Sequence, residues 1–159
     1  MGNSEKAQDS NLDVRKLPAR GIYVLQVVNR EAQRLRIGRL GDLGLAPGAY
    51  LYVGSARRYL RHRIARHLNR EKSPHWHIDY VTNCAPVARV SVWDDANVGE
   101  CEVAEAVREL AEARVVMKGF GSSDCECETH FVRFEGEGDW VASLSKSFGV
   151  PVADVQWAE

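Results

Sequence analysis

Residues 20–29 read RGIYVLQVVN, and residues 48–58 return to a similar pattern as GAYLYVGSARR. Both runs are rich in β-branched and aromatic residues, the composition of a strand packed within a sheet. Each holds a tyrosine two positions from a glycine: Tyr23 follows Gly21, and Tyr52 precedes Gly54. The second run passes directly into arginines, so a sheet bearing two phenols leads into a basic segment.

Outward from this pair, strands are expected at 21–28, 34–37 and 49–53, with NREAQ and GRLGDLGLAPG as the turns between them. A helix is expected from about 57 to 69, then SPHWHIDYVTN as a turn with a short element, and a strand at 87–93. A second helix over about 98–113, the glycine-rich KGFGSSDCECETH, a strand at HFVRF and a helix near 139–148 complete the pattern. The fold class is α/β of the α+β kind, a small, mainly antiparallel central sheet flanked by helices. The chain of 159 residues suits one domain. That domain is expected over 20–159, behind a flexible, dispensable tail at 1–19.

No apolar run reaches the roughly 18 residues of a membrane span, and the first twenty residues lack the apolar centre of a secretion signal. A cytoplasmic protein with no membrane partner is expected. Net charge is only -1, but it is unevenly spread. Residues 54–72 hold seven Arg and Lys against the single acid Glu71, whereas residues 98–128 hold eight acids against Arg108, Arg114 and Lys118. A phosphate-bearing ligand would approach the basic pole; a solvated helix face is the alternative.

Residues advance about 100° each around a helix, which sorts these side chains. On the first helix Leu60, Ile64, His67 and Leu68 form the buried stripe, while Arg58, His62 and Arg66 point to solvent. Arg63 lies on the shoulder, where its planar fork of donors could reach a phosphate over the tyrosine-bearing strands or pair with an acid. On the second helix Val103, Ala104, Val107 and Ala111 define the apolar face, and Glu102, Glu105, Glu109 and Glu112 oppose it. Glu100 projects onto the apolar face, where a carboxylate needs a partner. Either it completes a capping box with Asn97 as N-cap, or it holds a divalent metal beside the sheet.

The cysteines Cys84, Cys101, Cys125 and Cys127 are irregularly spaced, as reduced thiols or metal ligands rather than a disulfide framework. Cys125, Cys127 and His130, with His77 or Cys101, could bind zinc. Their Cys-x-Cys-x-x-His spacing differs from the usual Cys-x-x-Cys knuckle, and buried thiols beside a tight loop are the other reading. Within GFGSSD, Gly119 and Gly121 allow close backbone approach, and Ser122, Ser123 and Asp124 offer polar contacts at the edge of a site.

GIY (Gly21, Ile22, Tyr23), YVG (Tyr52, Val53, Gly54), the helix RYLRHRIARHL and a later helix carrying Glu100 together resemble the GIY-YIG nuclease superfamily over residues 21–112. The segments HWHIDY, ECEVA and GFGSSDCECETH extend the resemblance to 134, to an uncharacterised prokaryotic branch sometimes fused to DNA repair enzymes; residues 113–159 would be branch-specific. Where many members place an asparagine at the end of the nuclease core, this chain has its Ser, Asp and Cys segment.

The resemblance implies a DNA endonuclease using Mg²⁺ or Mn²⁺, in repair or processing. The tyrosines would be neighbours on adjacent strands, with Tyr23, or else Tyr52, as general base. Arg63 would clamp the phosphate, and His67 would carry protons or simply fill the core. Glu100 would hold the metal, with Glu102 as second choice; Gly54, Ser55, Arg57 and Arg66 would bind substrate. A tyrosine, normally near pKa 10, could act as base only with cations nearby. The competing function is a catalytically silent nucleic-acid-binding or assembly module that keeps the fold.

Overall fold

A computed structural model describes residues 14–157. Its centre is the antiparallel pair β1 (Gly21–Asn29) and β4 (Gly48–Ala56), in register from Gly21 opposite Ala56 to Asn29 opposite Gly48. The two tyrosine-bearing runs are therefore neighbours along their whole length. β5 (Val87–Trp93) pairs with the free edge of β1, and β7 (Phe131–Phe134) with that of β4. Adding β6 (Ala113–Val115) and β8 (Ala153–Gln156) at the edges gives a six-stranded antiparallel sheet in the order β6-β7-β4-β1-β5-β8.

The helices α1 (Leu60–Leu68), α2 (His77–Thr82), α3 (Glu100–Arg108) and α4 (Trp140–Phe148) flank this sheet. The strands alternate their side chains between two cores, as period-2 geometry requires. Tyr23, Leu25, Tyr50 and Tyr52 pack with Leu60, Ile64, Ile78 and Phe120 under α1 and α2. Ile22, Val24, Leu51 and Val53 pack with Val103, Val107, Trp140 and Leu144 under α3 and α4. The α+β class holds, and among the described residues no helix is long and apolar enough to cross a membrane.

Several local expectations need correction. β2 (Gln33–Ile37) does not join the main sheet; it pairs with β3 (Gly41–Leu45) in a separate two-stranded ribbon. β3 lies in the stretch read as turn signals, but Leu43 and Leu45 alternate into the core at 3% and 1% exposure. Glycines masked that alternation. α3 stops at Arg108, leaving Ala111 exposed beyond its end, because residues 113–115 are drawn into the sheet as β6. β8 was not expected at all.

The tail also has a different boundary. Val14 and Leu17 are buried in the core under α1, Arg61 Nε donates to the Leu17 carbonyl, and Leu60 N donates to that of Ala19. Residues 14–19 thus belong to the packed domain; the remainder of the expected tail, 1–13, lies outside the described residues.

Candidate functional site

Tyr23 stands opposite Gly54 and Tyr52 opposite Leu25, so the tyrosines are diagonal neighbours on one face of the β1/β4 pair. Gly54 is required by Tyr23 itself: a Cβ there would meet the phenol ring and hydroxyl at 2.5 Å. Expected to bind substrate, Gly54 is instead the floor on which Tyr23 lies. The Tyr23 ring is 1% exposed, and its hydroxyl hydrogen-bonds His67 Nε2 at 2.8 Å. Tyr52, 9% exposed, lines a cleft of about 250 Å³ with His75, Trp76, His77, Gly121, Ser123 and Asp124.

α1 runs beneath these rings and supplies His67 and Arg63. Its stripe is buried as expected at Leu60, Ile64 and His67. Burial, opposed by the charge of Asp79, brings the His67 pKa down to about 3, so the imidazole is neutral at neutral pH. Its Nδ1 is buried without a hydrogen-bond partner. Half-buried Arg63 donates to the Ser55 carbonyl near the end of β4 and lies over the Trp76 ring, 4.8 Å from its centroid. Burial pushes Tyr23 well above the ordinary phenol range and lifts Tyr52 too, while the charge of Arg63 works against burial at both.

Arg66 does not point to solvent. It pairs with Asp79 at 2.9 Å, donates to the Ser73 carbonyl, and lies 5.2 Å from the Trp76 centroid. Its charge is therefore largely committed to a carboxylate with no exposed surface, which weakens the expectation that it binds substrate. Burial disfavours the Asp79 anion, but the amides of Trp76 and His75 and the Arg66 guanidinium outweigh it and hold the carboxyl below its usual range. Asp79 and Trp76 were missed as site residues. HWHIDY contained both, but one sequence does not reveal that its aspartate folds back on the two amides three and four residues before it.

Glu100 is the first residue of α3, approaching from the opposite face of the sheet. β7 begins opposite Tyr52, with one further bond from Val53 N to the His130 carbonyl, so 54–56 has no strand neighbour on that side. At that gap Glu100 Oε2 lies 4.0 Å from His130 Nδ1, and its negative charge is felt at both Tyr23 and Tyr52. The capping account of Glu100 fails, because the N-cap is Gly99 rather than Asn97 and the Gly99 amide donates to Glu102 Oε1 at 3.1 Å. Glu102, the second choice as metal ligand, is thereby occupied at the helix start.

A family model with the description Domain of unknown function DUF123 matches residues 22–150. The chain belongs to that family. No curated protein and no solved structure matches it. The DUF123 span contains every residue of the site described above, from Tyr23 to His130, and leaves out only β8 among the sheet strands.

Within the DUF123 span the loop between β6 and β7 closes the site. Gly121, at φ +70°, places its amide 2.9 Å from His77 Nδ1, and a Cβ there would meet Tyr52 at 3.0 Å and His130 at 3.1 Å. Phe120 beside it is buried and stacks on Phe131, 4.4 Å between centroids. Ser123 and Asp124 face the cleft, whereas the Ser122 hydroxyl is buried and unpartnered. The loop also carries Cys125, Cys127 and His130, which meet Cys101 of α3: the four ligand atoms lie within 4.8 Å of one another and could hold a metal ion. His77, bonded to Gly121, stands outside that group.

At the basic pole, Arg57, Arg58 and His62 are exposed, and between them Tyr59 adopts a left-handed backbone (φ 59°) with 70% of its surface in solvent. Tyr59 is thus a strained, exposed aromatic among cations.

Proposed function

We propose that this DUF123 chain is a metal-dependent DNA endonuclease working in the cytoplasm on repair or processing substrates. The reading rests on one observation: Tyr23, Tyr52, Arg63, His67 and Glu100, from two strands and two helices, converge at one end of β4, next to an exposed Arg57–Tyr59 edge. The sequence resemblance to the GIY-YIG superfamily supports it, since it assigns roles to these same positions.

Phosphodiester hydrolysis needs an activated water, charge stabilisation at the phosphate and help for the departing 3′ oxygen. Burial disfavours a free Tyr23 phenolate, so Tyr23 works by exchange. Its hydroxyl delivers a proton to neutral His67 Nε2 while its oxygen takes one from water; burial disfavours the resulting imidazolium, and the charge of Asp79 offsets part of that cost. Arg63, held between the Ser55 carbonyl and Trp76, swings its remaining donors to the phosphate. Tyr52 positions the substrate from the cleft wall, with Arg57 and Tyr59 outside.

Glu100 fits a hard cation. It is half-exposed and free of the capping bond, and one carboxylate with water and phosphate oxygens is a set that Mg²⁺ accepts. Bound there, Mg²⁺ or Mn²⁺ would neutralise charge at the scissile phosphate. A panel of branched, nicked, single-stranded and duplex DNA, assayed with and without Mn²⁺, tests the reading; cleavage of at least one substrate only with metal is expected. The second reading, a silent nucleic-acid-binding module, is favoured by the burial that raises both phenol pKa values, and binding without cleavage across the panel would establish it.

A further inference from the structure

We propose that Cys101, Cys125, Cys127 and His130 form a tetrahedral site for one Zn²⁺ ion, separate from the hard-cation position at Glu100. The four donors come from distant parts of the sequence, Cys101 from the first turn of α3 and the others from the loop and the residue before β7, yet they lie within 4.8 Å of one another. Zinc bonds of about 2.3 Å to sulfur and about 2.0 Å to nitrogen imply tetrahedral edges of about 3.8 Å between sulfurs and about 3.6 Å between sulfur and nitrogen. His130 Nε2 lies 3.4 Å from Cys125 Sγ, close to such an edge.

The imidazole is oriented for this role. His130 Nδ1 is 3.2 Å from the Val53 carbonyl, which can only accept, so Nδ1 carries the proton and Nε2 presents a lone pair towards the sulfurs. A ligand histidine whose other nitrogen donates to a carbonyl is the usual second layer of a zinc site. Three thiols and a fixed imidazole form a soft set that favours Zn²⁺ over Mg²⁺.

The loop also needs such a tie. Residues 116–130 separate β6 from β7 without a helix or strand, and Phe120 is the buried apolar anchor among them. Loops of about 15 residues with no structure of their own are uncommon in small domains. An ion at this point would join the loop, β7 and the α3 residue next to Glu100, fixing the cleft wall and the proposed catalytic carboxylate. The inference does not rest on the nuclease reading.

The test is elemental analysis of the full chain purified with a non-thiol reductant and no added metal or chelator, with X-ray absorption at the zinc edge. About one zinc per chain is expected, in a shell of three sulfurs and one nitrogen. Cys101→Ser changes an exposed residue and should keep the fold by circular dichroism, yet lose zinc to a competing chelator at least tenfold more readily. A folded wild-type chain that contains no metal, titrates four free thiols and gives no thiolate band with Co²⁺ would overturn the site. So would a disulfide between any two of these cysteines, or zinc held equally tightly by Cys101→Ser, Cys125→Ser and Cys127→Ser.

Discussion

The Tyr23 hydroxyl and His67 Nε2 are 2.8 Å apart in the core, and burial, the larger influence, keeps this histidine neutral down to about pH 3. In the unfolded chain a histidine titrates near 6.5. Its folded pKa is therefore depressed, and the stability it contributes is complete above about pH 6.5 and lost as pH falls towards 3. The slope in that window should approach about 1.4 kcal/mol per pH unit. Urea unfolding of wild type and His67→Leu between pH 7 and 4 checks this: the variant should be less stable at pH 7 but should lose much less on acidification. Parallel curves would show that His67 is not the titrating group.

Gly54→Ala tests the packing of the tyrosine pair. The added methyl would meet the Tyr23 ring at 2.5 Å, and that ring is enclosed by the core and by its bond to His67. Overpacking of this kind costs about 1–3 kcal/mol. A melting temperature lowered by several degrees is expected, with most of the loss recovered in the Tyr23→Ala background, where the clash is gone. No change on Gly54→Ala would mean that the ring has room to move.

Asp79→Ala should be among the more damaging single changes outside the apolar core. It removes a buried acceptor of two amides and leaves Arg66 without its partner, a loss of about 3 kcal/mol by analogy with broken buried pairs. Because the folded pKa of Asp79 is depressed, its contribution is present above about pH 4 and lost below it. Chemical denaturation at pH 7 and pH 3 measures this, and the gap between variant and wild type should narrow at the lower pH.

The sheet centre was legible because its signals are local. β1, β4 and β5 are runs rich in aliphatic and aromatic residues, and the tyrosines' shared face follows from strand pairing and period-2 alternation. The shoulder position of Arg63 followed from helical period alone. β3 and β8 were hidden for opposite reasons: glycine breaks the alternation of β3, and β8 alternates between half-buried and exposed positions at an edge, with a weak apolar signal. Arg66 was misassigned because the 100° rule places a residue relative to its own helix, while Asp79 comes from the neighbouring one. Cys101 was only one of two options beside Cys125, Cys127 and His130, because the fold, not the spacing, brings α3 to that loop.

The proposed hydrolysis at the Tyr23–Arg63–Glu100 site is tested by a Mn²⁺-dependent cleavage assay of Glu100→Gln beside Glu102→Gln, with DNA affinity measured on the same preparations. Glu102 accepts from the Gly99 amide, a bond glutamine can also make, so Glu102→Gln should retain activity and stability. Glu100→Gln removes the carboxylate charge that acts on both tyrosines, and should lose cleavage by at least a hundredfold while binding DNA within about twofold of wild type. Full cleavage by Glu100→Gln, or loss of cleavage confined to Glu102→Gln, would contradict the account.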